Sequence, residues 1–530
     1  MEVEPVVRSG EVTRTHTEVR ERAARIASGL AEAGVSQGDR IAVVMRNDIS
    51  YLEVFAAVAL LGAVAVPVNW HWRGGELEHL LRDSSARLVI VHTDLLPTVA
   101  AHLPDGVDLV EAAVPEAVAK AYGLAPHRLP PSGEHATLQS WIDQAQPWPH
   151  PPVPAPLGLI YTSGTTGLPK GILRRPTSPE QSRRLVELVF DAWRLRPGMR
   201  SMIPAPLYHT APNTHAMLGL AGGLDLTVLP RFDAEETLRL IERHRIEHVQ
   251  VVPTMLVRLL GLPAEIRRRY DLTSLKVILH AAAPCPAEIK DRIIDWFGPI
   301  VQEYYGGSET GPVVACDSDE WAAHRGTVGR PIADAGVRVL DGAGRPVPVG
   351  EVGEIFLRPP SAWPDFTYVG DDGKRRDIDR DGYLTIGDLG FVDADGFLHL
   401  RDRKNDMVIS GGVNIYPLEI EQCISGLAGV ADVAVFGIPD PEFGEALAAH
   451  VQPLPGAPLT EEDVTRHVRS RLAGYKVPRV VVLDDHLPRE DSGKLFKRRL
   501  RERYLSGEAG EAGEARGAAT ARSRRVAAES

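Results

Sequence analysis

Cysteine is scarce: three occur in 530 residues, Cys285, Cys316 and Cys423, an odd set without a C-x-x-C pair. That excludes a disulfide framework and a cysteine zinc site, and it fits a reducing compartment. Basic charge falls short of acidic charge, 59 Lys and Arg against 71 Asp and Glu, for a net charge of −12. A partner read through a basic footprint, nucleic acid above all, is not expected. An anionic small ligand is still admissible, because a cleft can be locally positive on an acidic protein. Long apolar runs are missing as well. The longest, Val54–Val68, spans 15 residues and contains Gly62 and Pro67, too short for a bilayer core of about 30 Å. The acidic start, Met-Glu-Val-Glu-Pro, offers no secretory apolar core. The expectation is a cytoplasmic protein with no membrane span. No repeat with a period of roughly 20–50 residues emerges.

What is present is ordinary for a globular protein: 44% hydrophobic and 25% charged residues. Residues 15–35 have helical spacing with Gly34 as a stop. Arg40–Met45 and Arg87–His92 are strand candidates, and Tyr51–Leu61 is an apolar helix. This alternation continues to about residue 300 and predicts an α/β region with largely parallel sheets. The proline-rich segment Gln146–Pro156 is a loop or linker. From about residue 326 to 400, short strands between Gly and Asp turns (Val337–Leu340, Gly353–Leu357, Gly382–Thr385, Phe397–Arg401) predict a β-rich subdomain. A domain-sized α+β stretch follows to about residue 505, with Pro417–Ile424, Val430–Gly437, Glu461–Leu472 and Arg479–Leu483 as elements. Residues 506–530, rich in Ala, Gly and Glu and then Arg, are expected to be a disordered tail.

Four motifs carry chemistry. The first, Tyr161–Gly171 (Y-T-S-G-T-T-G-L-P-K-G), joins four hydroxyls, at Thr162, Ser163, Thr165 and Thr166, to three glycines and one cation, Lys170. Amide groups laid open by glycine, with hydroxyls beside them, suit a polyphosphate. The string fits neither a Walker loop nor a G-x-S-x-G elbow, since Tyr161 stands where that elbow needs glycine. The second, Tyr304–Gly311 (Y-Y-G-G-S-E-T-G), sets Glu309 in a glycine turn with two hydroxyls, a setting for a hard cation that keeps most of its water. The third, Gly382–Glu421, places Asp388 at a strand end, where a carboxylate can accept from both hydroxyls of a ribose. It continues through a run of charges at 401–406 to Gly411 and Gly412. The fourth, Pro488–Leu500, sets Lys494 just after a Ser-Gly turn.

In order and separation these motifs resemble the adenylate-forming superfamily of acyl-CoA synthetases, non-ribosomal adenylation domains and firefly luciferase, over about Gly10 to Leu505. Pro206–Asn213 (P-L-Y-H-T-A-P-N) and His280–Pro284 (H-A-A-A-P) add to the resemblance. It implies a large multi-subdomain N-terminal domain (1–400), a hinge at 401–406 and a small mobile C-terminal cap (407–505). It also implies ATP-dependent activation of a carboxylic acid to an acyl-adenylate, then transfer to a thiol, with ATP, Mg²⁺ and coenzyme A as cofactors. Thr162, Ser163, Gly164, Thr165, Thr166, Gly167 and Lys170 would hold the β- and γ-phosphates, and Glu309 would bind Mg²⁺. Ser308 would lie near the α-phosphate; Ala282, Ala283 and Tyr305, with Gly306, would line the adenine; Asp388 and Arg403 would hold the ribose. Lys494 would bridge the carboxylate and the α-phosphate, His209 would gate the acyl site, and pantetheine would pass Gly411 and Gly412. The hinge position that usually carries Asp or Lys is Asn405 here, a residue tolerant of unusual φ and ψ.

No Asp or Glu occurs in Pro204–Gly223, which disfavours an α-amino acid, since a buried ammonium without a partner is costly. The small residues Ala281–Ala283, Gly306 and Gly307 are expected to leave room for a bulky apolar or aromatic acyl group. A fatty acid, an aryl acid and a steroid-type acid all stay open. So do a carrier-protein thiol, an amine or nitrite activation in place of CoA chemistry, and a homodimer.

Overall fold

The computed structural model describes residues 4–162, 169–410, 413–489 and 495–505. The expected tail at 506–530 therefore lies outside the described residues. Near the N-terminus, Thr15 accepts from the Glu18 amide while Glu18 reaches back to the Thr15 amide. That capping box starts the helix His16–Glu32, which buries Val19, Ala23, Ile26 and Leu30 along one face. Gly34, with φ +80°, turns the chain out of it. The helix Ile49–Leu60 is capped by Asp48 and mostly buried; its one charged residue, Glu53, is buried too and pairs with Arg14 at 2.6 Å and Arg22 at 2.8 Å.

The described residues form four sheets. One runs Val64–Pro67, Arg40–Val44, Leu88–His92, Asp108–Ala112 and Ala136–Thr137, all parallel. The largest has a parallel centre: Val301–Gly307, Val277–His280, His248–Val251, Arg200–Ile203, Asp225–Val228 and Val6–Ser9 in spatial order. Its central strands, such as Val277–His280 and His248–Val251, are buried along their whole length, so Val277–Leu279 reads as a continuous apolar run whereas His248 and Gln250 carry polar side chains into the interior. Antiparallel strands extend it, and Thr327–Pro331 pairs with both Gly311–Asp317 and Leu398–Arg403. The β-rich stretch thus continues the large sheet with no break in hydrogen bonding. A three-stranded sheet, Phe366–Tyr368, Lys170–Arg174 and Leu159–Thr162, lies apart from it. The fourth sheet holds the long hairpin Val430–Asp440/Gly444–Pro453, with helices Pro417–Ser425 and Glu461–Arg469 over one core. Among the described residues no helix is long and apolar enough to cross a membrane.

Arg401, Asp402 and Arg403 still belong to the strand Leu398–Arg403, and the turn proper is at 404–406. Past it, Leu418 donates its amide to the buried Asp402 carboxylate at 2.9 Å. Lys497, on the last described helix, pairs with Glu421 at 2.9 Å and reaches Asp406 at 4.0 Å. These ties fix how the chain re-enters its C-terminal sheet.

Among the described residues, His92, His215, His248 and His280 are fully buried and without charge. Burial lowers His92 to about 3, His215 and His280 to about 4, and His248 well below its ordinary value. Unfolding returns each to about 6.5, so stability is full above that pH and falls on acidification, by up to about 1.4 kcal/mol per pH unit for each histidine. Asp48 and Asp402, raised to about 6 by burial, act oppositely between roughly pH 4 and 6, because the folded protein retains their protons. The histidines outnumber them. The melting temperature should therefore be lower at pH 5 than at pH 7.5; one that holds or rises on acidification contradicts this balance.

Candidate active site

Two of the expected segments, Ala281–Ala283 and the one ending at His209, follow the carboxyl ends of parallel strands, where ligands of open α/β sheets lie. Val277–His280 runs into Ala281–Ala283, and Arg200–Ile203 into the segment ending at His209. Ala282 is exposed and left-handed, with φ +73°, a conformation it shares among the described non-glycine residues with Ser85, Arg194, Arg245, Ala333 and Asp381. His280 turns its ring inward, 3.8 Å from Glu303, whose carboxylate pairs with the buried Lys290 at 2.6 Å. Its part is structural. His209 precedes the helix Thr210–Ala221, its ring 4.4 Å from that of Tyr208.

The hairpin of Val301–Gly307 and Gly311–Asp317 carries the second motif at its tip. Its register shifts between Tyr305 and Gly306. A Cβ on Gly306 would stand 1.8 Å from the Gly311 carbonyl oxygen, and one on Gly311, at φ +64°, would strike the Trp363 ring. The expectation that Gly306 and Gly307 leave room for an acyl group needs revision. Hairpin backbone fills the space at Gly306, and the Glu309 and Ile386 side chains crowd that at Gly307. These glycines serve the turn.

On one side of the hairpin, Tyr305 donates its hydroxyl to Asp388 at 2.8 Å, and Arg403 Nε meets the other Asp388 oxygen at 3.0 Å. Asp388 and Arg403 are direct partners across adjacent strands. Asp388 is buried whereas Arg403 is half exposed, so this carboxylate has its cation on the solvent side. The nearby Asp388 charge holds the Arg403 guanidinium above its ordinary pKa and, after burial, is the next cause that pushes the Tyr305 phenol up. At the tip, Ser308 shares a 2.7 Å hydrogen bond with Thr210, one residue past His209. Glu309 accepts from the Tyr368 hydroxyl at 2.9 Å through Oε1, and among the described residues its Oε2 has no hydrogen-bond partner. Thr310 accepts from the Gly307 amide at 2.9 Å and closes the turn.

Leu159–Thr162 and Lys170–Arg174 pair antiparallel, with Thr162 opposite Lys170. The glycine–hydroxyl string thus connects two hairpin strands, and its ends enter beside each other. Ser163, Gly164, Thr165, Thr166 and Gly167 lie outside the described residues, as do Gly411, Gly412 and Lys494. The antiparallel bridge between Arg489 and Leu495 flanks the Lys494 segment. Asn405 is exposed at the centre of a turn in which Asp406 and Met407 both donate to the Arg403 carbonyl.

Three participants went unread in the sequence: Thr210, Tyr368 and Arg174. Arg174 is 4% exposed and donates to the backbone carbonyls of Ser308 and Pro364. A signal for it did exist, since in K-G-I-L-R the arginine shares the parity of the apolar Ile172. Tyr368 carried none.

The model of the AMP-binding enzyme family matches residues 3–364, and that of the AMP-binding enzyme C-terminal domain matches 419–494. A feruloyl-CoA synthase of an Amycolatopsis species is 36% identical over 506 residues, covering 94% of this chain and 95% of that protein. The fatty acid–[acyl-carrier-protein] ligase ScoC of Streptomyces coeruleorubidus is 31% identical, covering 94% and 93%. Among solved structures, ATP-bound MatB from Rhodopseudomonas palustris superposes with a TM-score of 0.78 at 28% identity, covering 94% and 96%. The chain belongs to the AMP-binding enzyme family, the adenylate-forming ligases that include the acyl-CoA synthetases.

Packing at the hairpin tip predicts unequal tolerance. Gly306→Ala, which meets backbone at 1.8 Å, should cost about 1–3 kcal/mol, the usual scale of overpacking. Gly307→Ala, which meets only side-chain atoms at 3.1 Å and beyond, should cost less. Denaturant unfolding of both variants checks this, and equal stability would contradict it.

Proposed function

We propose that the chain activates an aromatic carboxylic acid of the phenylpropenoic type with ATP, releasing pyrophosphate, and passes the acyl group to the thiol of coenzyme A. The observation that carries the nucleotide half is the Tyr305–Asp388–Arg403 cluster, three separately expected residues joined at 2.8 and 3.0 Å. Asp388 accepts the ribose hydroxyls there, held by its two partners, and Ala282 and Ala283 form the adenine wall. The Thr162–Gly167 loop and Lys170 hold the β- and γ-phosphates, and Ser308 lies near the α-phosphate.

A carboxylate attacking a polyanion meets charge repulsion, and negative charge then moves onto the departing pyrophosphate. Fixed cations and amide donors are the main remedy, because phosphoryl chemistry is mostly positioning and electrostatics. Lys494 bridges the two anions, as a compact ammonium can serve two oxygens at once. The Glu309 carboxylate fits Mg²⁺, with one oxygen held by Tyr368 and the other without a hydrogen-bond partner among the described residues, whereas the buried Thr310 hydroxyl is taken up by the Gly307 amide and the Gly311 carbonyl. When bound, Mg²⁺ neutralises phosphate charge. Rotation of the cap about Asn405 then withdraws Lys494 and brings Gly411 and Gly412 to the pantetheine path, a lid motion that assembles the second site. His209 acts as the gate ring between the ATP and acyl sites.

One observation supports an aromatic acid. The relative with 36% identity bears the name feruloyl-CoA synthase. Because ScoC is named for a carrier-protein acceptor, a phosphopantetheinylated carrier protein is the second acceptor to test.

Incubation with ATP, CoA and a panel of hydroxycinnamates, benzoates, fatty acids and amino acids, read by pyrophosphate release and product mass, should give CoA thioesters fastest with hydroxycinnamates. Thioesters formed only from fatty acids, or only on carrier protein, would refute the substrate or the acceptor respectively. Lys494→Ala should slow adenylate formation by on the order of 10²–10³ while sparing transfer from supplied acyl-adenylate. Equal loss in both half-reactions counts against the role given to Lys494.

A further inference from the structure

The phosphate hairpin and the Glu309 turn are far apart in sequence, yet one buried side chain joins them. Arg174 ends the strand that begins at Lys170. With alternate residues on one face, Lys170, Ile172 and Arg174 point the same way. The Arg174 guanidinium donates to the Ser308 carbonyl and, at 3.2 Å, to that of Pro364, and lies 3.5 Å from the Glu309 carbonyl. Its flat face stacks on Trp363, 4.6 Å from the ring centre. Trp363 in turn fills the space that a side chain on Gly311 would need. The neighbouring strand completes the clamp: Phe366 pairs with Arg174 and Tyr368 with Ile172, and Tyr368 holds the Glu309 carboxylate at 2.9 Å. The turn is thus gripped twice by one three-stranded sheet, by its backbone at Arg174 and by its carboxylate at Tyr368, nearer the Lys170 end.

We infer that Arg174 is a positioning residue for the reaction: it fixes the Ser308–Glu309 backbone against the phosphate hairpin, so that the Glu309 carboxylate faces the cation bound with the nucleotide. The inference rests on Glu309 as a ligand of that cation. A guanidinium suits the post because it offers a planar fork of donors to several carbonyls while stacking on an indole. Burial lowers its pKa to about 10, opposed first by the Glu309 charge and then by Asp365, so it stays protonated at neutral pH. Lysine cannot reproduce the fork.

The test measures ATP binding by calorimetry across a magnesium titration, on the full chain without acid, alongside the melting temperature of the free protein. Arg174→Met keeps an apolar stem on Trp363 but removes the donors. It should need on the order of tenfold more magnesium for half-maximal ATP binding, the usual loss when a group supporting a metal ligand is removed. Arg174→Lys should fall between it and the wild type, and it decides the matter alone if the methionine variant does not fold. A lower melting temperature with an unchanged magnesium midpoint would overturn the inference, leaving Arg174 a packing residue. Glu309→Gln separates the two layers. If it shifts the midpoint while the Arg174 variants do not, the positioning role fails; if it too leaves the midpoint unchanged, Glu309 is not the ligand and the inference falls with it.

Discussion

The arrangement depends on one constraint, closure of the Val301–Asp317 hairpin at its glycine tip. With Gly306 against the Gly311 carbonyl oxygen at a distance no Cβ could share, the strand directs Tyr305 to one side and Glu309 onward to the other. Tyr305 then meets Asp388 and Arg403, and Glu309 meets Tyr368. One short turn therefore sets the spacing between a carboxylate that can receive a ribose and a carboxylate that can receive a phosphate-bound cation. A looser turn would leave both present and neither in place. Preorganised charge is useful because no reorganisation is required at the moment of reaction.

The same economy appears where the chain leaves the large sheet. Arg403 is both the partner of Asp388 and the residue whose carbonyl anchors the 404–406 turn. One position beforehand, Asp402 accepts from Leu418. Lys497, just beyond the segment that carries Lys494, sits among Asp402, Asp406 and Glu421, whose charges hold its ammonium above the ordinary value against burial. The partner of Asp388, the turn and the C-terminal lobe thus share neighbouring residues of one strand. In the proposed cycle this gives rotation of the cap a direct mechanical link to the ribose site.

Much of this was legible in the sequence, for identifiable reasons. Buried parallel strands such as Arg40–Val44 and Leu88–His92 appear as short apolar runs, and the helix His16–Glu32 announces itself through its helical spacing and the Gly34 stop. The family resemblance assigned Asp388 and Arg403 to one ribose, which no local pattern encodes, and their direct pairing emerged only from the structure. Other features depend on tertiary contacts and left no trace. The left-handed Ala282, the Thr210–Ser308 hydrogen bond and the Tyr368 clamp arise where separate segments meet. Gly306 and Gly307 misled because absence of a side chain looks like space, whereas here neighbouring atoms occupy it.

The central claim is that this chain couples an acid carboxylate to the α-phosphate of ATP before any thiol takes part. Exchange of labelled pyrophosphate into ATP, measured with the preferred acid and Mg²⁺ but no thiol, tests it most directly. The account predicts rapid exchange that requires the acid. Thioester formation with CoA, but no acid-dependent exchange in its absence, would contradict it.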